Sequence, residues 1–308
     1  MSEYDLVIIG GGPGGLTAGL YAMRAAMKTV LIEKGAFGGQ MTLTDAIENY
    51  PGFEEINGFD LSQKFLNHAQ KFGLETIQEN AENLKTGNPF HEVKLANGDV
   101  IKGRSVILAC GGSSRKIGIP GEAEFYGKGV SYCATCDGFF FRNKIVAVIG
   151  GGDSAVEEAI FLSKLAEKVY LIHRRDELRA SPILQKRVKN TPKVEILWNK
   201  IPLEIKNDGQ TVNGIALKDT KTDNVEDLSV NGVFVFIGHS PNNSIVPSEL
   251  KKNEQGFVVT DEACRTTIPG LYVIGDLRNN YAKQIVIAAG EGAIAALDAE
   301  KYVQNQND

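Results

Sequence analysis

Two cysteines three residues apart carry the most pointed chemistry in this chain. They lie in SYCATCDGFF, Ser131 to Phe140, as Cys133 and Cys136, with Asp137 directly after them. A C-x-x-C pair is half of a zinc site, a dithiol that opens and closes during a reaction, or an accident of composition. Structural zinc takes four ligands, usually two such pairs or one pair with two closely spaced histidines. The other cysteines, Cys110 and Cys264, are far apart in sequence, and His68, His91, His173 and His239 form no H-x-x-x-H cluster. The redox reading is therefore favoured, and no metal site is expected. Thiol–disulfide exchange proceeds by thiolate attack through a mixed disulfide, and Asp137 can give or take the protons if burial raises its pKa. The plainer reading of Asp137 is a turn residue before Gly138. Cys110 and Cys264 read as small buried hydrophobes.

The second chemical signal is written twice. DLVIIGGGPGG, Asp5 to Gly15, is an apolar run feeding a glycine turn, followed by the helical LTAGLYAMRAA and the apolar TVLIEK. Adding 140 to each position gives IVAVIGGGDSA, then AVEEAIFLSKLA, then VYLIHR, without a gap. Gly10, Gly12 and Gly15 fall on Gly150, Gly152 and Ala155, so each copy has the G-x-G-x-x-G/A pattern between a strand and a helix. The first glycine allows a tight turn and the second lets backbone approach a pyrophosphate. The third, or an alanine, lets helix pack on strand, and the helix N-terminus faces the phosphates.

The copies differ at the end of their second strand. Glu33 ends the first, where a carboxylate accepts hydrogen bonds from ribose hydroxyls. His173 stands at the same place in the second, followed by Arg174, Arg175 and then Arg179. A carboxylate there would repel a 2′-phosphate, whereas guanidinium groups grip one. The second nucleotide is therefore expected to be NADPH and not NADH; the bland alternative is a solvated basic helix start.

These sites need elements to hold them. SVILACGGSS (Ser105 to Ser114) and IPGLYVIGD (Ile268 to Asp276) are further strands running into glycine turns. The expected fold is α/β, with two Rossmann-like dinucleotide-binding domains of the three-layer type, the second inserted into the first. The boundaries are placed at 1–114, 115–241 and 242–308, in loops rich in Gly, Pro and Asn. A chain of 308 residues, 43% hydrophobic, suits two domains. A net charge of −5 with no basic stripe argues against nucleic acid as a partner. The N-terminus lacks a charged segment before an apolar run, and no run approaches the ~18 to 20 apolar residues of a membrane helix. A soluble protein of the cytoplasm, without membrane partners, is the expectation.

Taken in order, GGGPGG, GGQ with ENYPG, CATCDGFFF, GGGDSAVEEA, HRRDELR, FVFIGHSPN and GLYVIGD with KQIVIAAGEGAIAALDAEKY resemble the low-molecular-weight, bacterial type of thioredoxin reductase over essentially the whole chain. The resemblance implies FAD in the first domain, at Gly10, Gly12, Pro13, Gly14 and Gly15, with Glu33 at the ribose. Gly39 and Gln40 would lie beside the ribityl chain and Asn49 near the isoalloxazine. Asp276 would bind the ribityl and pyrophosphate region, and Lys283, Gln284 and Ile285 would meet the flavin ring. NADPH would lie on Gly152, Asp153 and Ser154, with His173, Arg174, Arg175 and Arg179 at the 2′-phosphate end. The two cysteines would be the redox disulfide: Cys136 on the flavin side, Cys133 attacking thioredoxin, Asp137 as acid and base. It further implies a homodimer and an NADPH domain that swings about two hinge strands between half-reactions. Two positions depart from the family: Cys110, where Thr is common, and Gly14, where Ala is common. The rival readings are a reductase of another dithiol protein on the same fold and, in a different class, a non-catalytic flavin-binding redox sensor.

Overall fold

The computed structural model describes residues 2–43, 47 and 49–306. The chain divides into two units: residues 1–113 with 240–308, and residues 114–239 inserted between them.

The first unit starts with β1 (Ser2–Ile9), α1 (Pro13–Arg24) and β2 (Thr29–Glu33), then α2 (Gly58–Lys71), β3 (Glu75–Gln78), β4 (Ala81–Lys85), β5 (His91–Leu95) and β6 (Val100–Leu108). Residues Leu6 to Ile9 are buried on both faces of the strand, as a central parallel strand requires. β1 pairs in parallel with β2 (Ile9↔Ile32) and with β6 (Ile9↔Leu108). The turn after β1 thus leaves the carboxyl end of the sheet between strands connected in opposite directions, where α/β sheets bind ligands. β7 (Gly112–Ser114) leads out of this unit.

The second unit contains β8 (Val130–Ser131), α3 (Ala134–Asp137), β9 (Ile145–Gly150), α4 (Asp153–Ser163), β10 (Lys168–Ile172), α5 (Pro182–Lys189) and β11 (Val194–Leu197). A meander, β12 (Lys200–Asn207), β13 (Val212–Asp219) and β14 (Val225–Leu228), precedes β15 (Gly232–Phe236). The parallel sheet has the order β11-β10-β9-β15-β8, and the meander forms a separate antiparallel sheet. Val146, Val148 and Phe234 face one core with Val156, Ala159 and Leu162 of α4. Ala147, Ile149 and Val235 face another with Ile205, Ile215 and Leu217 of the meander. Alternate residues of one strand therefore serve helices on one side and the meander on the other, a three-layer arrangement.

The chain returns by β16 (His239–Pro241), which pairs with β7, and completes the first unit with β17 (Leu271–Val273) beside β6 and with α6 (Ile285–Gln304). α6 packs on α1 at very short range. A Cβ at Gly292 would lie 2.2 Å from the Gly14 carbonyl oxygen, so a larger residue would force the helices apart. Among the described residues, no helix is long and apolar enough to cross a membrane.

Candidate functional site

The first glycine turn is a backbone construction. Gly10 has φ +112°, and a Cβ there would strike the Ala109 carbonyl at 2.3 Å. A Cβ at Gly15 would lie 1.9 Å from the Gly10 carbonyl oxygen. At Gly12, by contrast, a Cβ would meet nothing within 4 Å, so the backbone there is open to a ligand. Gly12 caps α1 without a side-chain hydrogen bond, Pro13 begins the helix, and the first turn holds no acidic residue. The helix N–H groups and their partial positive charge are thus left for an anion. A Cβ on Gly14 would lie 3.0 Å from the Ala288 carbonyl and 3.1 Å from Ile274 Cδ1, which brings α1, α6 and the turn at Gly275 together.

Glu33 braces this turn. Its carboxylate accepts the Gly11 N–H at 2.7 Å and the Gly35 N–H at 2.8 Å. Gly39 opens the short 3-10 turn Gly39–Leu43 and lies over Gly12, with its notional Cβ 3.3 Å from the Gly12 Cα; Gln40 beside it is exposed. Asn49 donates to the Gln284 side-chain oxygen at 3.2 Å. Ile285, the first residue of α6, packs on the cluster of Met41, Ile47 and Leu61.

Asp276 and Lys283 take different parts in the remaining loop. Among the described residues, nothing donates a hydrogen bond to the Asp276 carboxylate, and burial holds its carboxyl above the ordinary carboxylate range despite the nearby Lys283. It is an acceptor waiting for a donor such as a ligand hydroxyl. The Lys283 ammonium already donates to the Arg278 carbonyl at 2.8 Å, the Asn280 side chain at 2.7 Å and the Asp276 carbonyl at 3.3 Å, and lies over the Phe257 ring. The ammonium shapes the loop that presents Asp276. Glu291 of α6 was not singled out from sequence. It is 7% exposed, accepts the Gly275 N–H at 2.6 Å, and pairs with Arg278 at 2.9 Å. Its signal was a carboxylate on the buried face of a helix that otherwise buries Ala288, Ala289, Gly292, Ala295 and Ala296 around it.

The second unit repeats the turn with different bracing. Gly150 has φ +156°, and a Cβ at Gly152 would again meet nothing within 4 Å. Gly152 caps α4 without a side-chain bond. Asp153 accepts the Ser181 N–H at 2.6 Å, while Ser154 is exposed. His173 points inward and is 5% exposed; its ring nitrogens stand 2.9 Å from the Gly150 carbonyl and 3.0 Å from the Glu177 carbonyl. The imidazole thus braces the turn instead of reaching outward, and burial holds its pKa below the usual histidine value. Arg174, Arg175 and Arg179 are exposed, and among the described residues their guanidinium groups pair with no carboxylate. The Arg179 N–H donates to the Gly151 carbonyl at 2.7 Å, so the basic segment is tied to the glycine turn.

Just upstream in the same unit, Cys133 and Cys136 form a disulfide, with S–S 2.10 Å and Cα atoms 5.3 Å apart. Cys133 caps the single turn α3, which ends at Asp137. Both sulfur-bearing residues are partly exposed, and Phe139 and Phe140 beyond them are exposed. Burial pushes the thiols of Cys110 and Cys264 up to about 12 and about 11, so neither is a ready nucleophile. Among the described residues, no three His, Cys, Asp or Glu side chains gather as a metal site.

Both cradles suit phosphate-bearing ligands: open glycine backbone, helix N-termini without a side-chain cap and, among the described residues, an acceptor with no donor in one unit and cations with no carboxylate partner in the other. The family described as pyridine nucleotide-disulphide oxidoreductase matches residues 4–292. The thioredoxin reductase of Bacillus subtilis (strain 168) is 44% identical over 307 residues, covering 99% of this chain and 97% of that protein. That of Helicobacter pylori (strain J99) is 44% identical over 98% of this chain and 99% of its own. The crystal structure of thioredoxin reductase from Streptococcus pyogenes MGAS5005 superposes with a TM-score of 0.94 at 40% identity, covering 99% of each chain. The chain belongs to the pyridine nucleotide-disulphide oxidoreductase family, whose members use a flavin and a pyridine nucleotide.

Proposed function

We propose that this protein reduces the disulfide of thioredoxin at the expense of NADPH, with FAD held by the first unit and NADPH by the second. The observation that carries the reading is the Cys133–Cys136 disulfide, set directly before the second of two dinucleotide cradles in one chain. Full-length relatives that are thioredoxin reductases support it. Bound flavin supplies an acceptor for the nicotinamide hydride and a two-electron donor for a disulfide.

The chain's own residues do the rest. Gly12, Pro13 and the α1 N-terminus would hold the FAD pyrophosphate, Glu33 and Asp276 would accept hydrogen bonds from its hydroxyls, and Gly39 would lie over the turn. Gly152 and the α4 N-terminus would hold the NADPH pyrophosphate, and Arg174, Arg175 and Arg179 would grip the 2′-phosphate. Two electrons and two protons open the Cys133–Cys136 bond to two thiols. Cys133 Sγ, as thiolate, then attacks the thioredoxin disulfide, one thioredoxin sulfur leaves with a proton, and a mixed disulfide joins the two proteins. Cys136 Sγ attacks Cys133 Sγ, releases the second thioredoxin sulfur and restores the original bond. Asp137 carries the protons between these sulfurs.

The cysteines belong to the inserted unit, and β7 and β16 are its two crossings; we propose that this unit swings about them between half-reactions. The resemblance supports a cytoplasmic homodimer, and the exposed Val286, Ile294 and Leu297 of α6 are apolar surface such an assembly would cover.

The deciding experiment is anaerobic mixing of the flavin-loaded protein with NADPH and then oxidised thioredoxin, beside Cys133→Ser. Sustained NADPH loss with return of oxidised flavin is expected only in the unaltered protein. Bleaching without reoxidation by thioredoxin would leave the cofactors standing and move the acceptor to another dithiol protein. No NADPH turnover with any disulfide would favour a redox sensor.

A further inference from the structure

Ser131 ends β8, two residues before the first cysteine, and is 2% exposed. Its hydroxyl stands among three groups: 3.0 Å from the Cys133 N–H, 2.5 Å from Asp137 Oδ2 and 3.2 Å from the Cys133 carbonyl. A hydroxyl has one proton to give and two lone pairs to accept with. The 2.5 Å contact has the length of an O–H donating to a carboxylate, so the proton is directed at Asp137 while the oxygen accepts the Cys133 N–H. Cys133 caps α3, and its own side chain makes no capping bond. The Ser131 hydroxyl takes the N–H of this cap residue and so fastens the start of α3.

We propose that Ser131 is the positioning residue of the dithiol: it ties the Asp137 carboxylate to the backbone of Cys133, so that acid and sulfur keep their separation. The inference rests on the acid–base role assigned above to Asp137. When Asp137 gives its proton to a departing sulfur, a carboxylate remains, and the Ser131 O–H is already aimed at it. Strand pairing does not account for this side chain, because β8 joins β15 through the backbone at Val130 and Ser131.

The neighbours of Asp137 are compatible with this duty. Tyr126 faces it, with its phenol held protonated above the ordinary tyrosine value by burial and by that carboxylate. Tyr132 donates to Glu122 at 2.8 Å and is thereby engaged elsewhere. At Gly138, α4 and the loop after it present Phe161, Leu162 and Leu165, which add no charge.

The test uses flavin-loaded Ser131→Ala, Ser131→Thr and Asp137→Asn. It follows the pH profile of kcat with oxidised thioredoxin, the KM for thioredoxin, and flavin reduction by NADPH. Independently of turnover, the dithiol is opened with dithiothreitol and iodoacetamide trapping of Cys133 and Cys136 is measured against pH. Ser131→Ala should lower kcat about 10-fold, part of the 10²–10⁴ a positioned acid contributes, with KM and flavin reduction unchanged. Loss of a donor to the charged form should move the high-pH fall of kcat upward by roughly 1 pH unit. The trapping profile should move with it, and Ser131→Thr should restore most of both. Wild-type profiles in Ser131→Ala beside an altered Asp137→Asn would overturn the positioning role. A slow Ser131→Ala with unmoved profiles and no rescue by Thr would reduce Ser131 to packing. Unaltered rate and profiles in Asp137→Asn would remove the acid–base reading itself, and this inference with it.

Discussion

The same strand, turn and helix occur 140 residues apart, and the two copies part company at the residue closing their second strand. Glu33 accepts backbone N–H groups from Gly11 and Gly35; His173 turns its ring nitrogens to the carbonyls of Gly150 and Glu177. Each braces a glycine turn, one by accepting and the other by meeting acceptors. The comparison teaches that this position has two tasks, holding the turn and setting the charge beside a ribose, and that the first can be met with either polarity. Once a histidine takes over the bracing, the strand-end position itself carries no carboxylate beside Arg174 and Arg175, and the nearby Asp176 is paired with Lys221. The third glycine varies for a related reason. Gly15 has no room for a Cβ, whereas Ala155 already carries one under an otherwise similar turn.

The most disruptive way to probe this pairing is to equalise the third glycine. Gly15→Ala should cost about 2–3 kcal/mol through overpacking against the Gly10 carbonyl, together with most of the bound flavin. Ala155→Gly should cost only about 1 kcal/mol as a helix-propensity effect. Flavin content and thermal unfolding of both variants check this, and a flavin-replete, fully stable Gly15→Ala would break the comparison.

Charge at the second ribose comes next. Removing Arg174 or Arg175 should raise the KM for NADPH roughly 10- to 100-fold, the worth of a hydrogen bond to a charged group, and leave the KM for NADH nearly unchanged. Equal losses with both coenzymes would mean the arginines do not read the 2′-phosphate. Replacing Glu33 with Gln sharpens the opposite side: one N–H loses a charged acceptor, and flavin affinity should fall several-fold, within the ~0.5–1.5 kcal/mol range of a neutral bond.

The smallest expected effect is on pH dependence. Burial depresses the pKa of His173 in the second unit and of His91 in the first. His91 accepts the Gly87 N–H at 3.3 Å, and its other nitrogen lies 3.1 Å from the Pro269 carbonyl. For a base depressed in the folded state, the unfolded chain binds the proton more readily. The stability is present above the unfolded value, near 6.5, and is lost as pH falls through the folded one. The unfolding temperature should therefore drop between about pH 7 and pH 5, and His173→Gln and His91→Gln should each flatten that slope. A slope unchanged in both variants would refute the burial argument.

Much of this arrangement was legible because it is local. Strand, turn and helix follow one another within about thirty residues, and a turn that admits only glycine announces itself by composition. The C-x-x-C pair is equally local, and its disulfide needs no distant partner. The bracing was not legible, since neither composition nor periodicity says which backbone N–H a carboxylate will turn back to, even a few residues away. Glu291 reaches back to Gly275 across a loop, and Glu122 collects the Ile117 and Gly118 N–H groups with the Tyr132 hydroxyl. Lys283 was singled out only through the resemblance, which places it with Gln284 and Ile285 at the flavin ring; that three oxygens of its own loop hold its ammonium was not legible. His173 similarly read as part of a basic cluster, while folding turns its ring to the backbone.

The pairing of Gly112–Ser114 with His239–Pro241 has a consequence for how such a chain tolerates its own length. Neighbouring strands lie about 4.8 Å apart, so the segment of residues 114–239 leaves and rejoins its host almost at the same point. To the host, a visitor with adjoining ends resembles a long surface loop, and the entropy of closing a loop grows only logarithmically with its length. Joining residue 113 to 240 through a short glycine bridge would excise the visitor and leave every strand of the host sheet in its place.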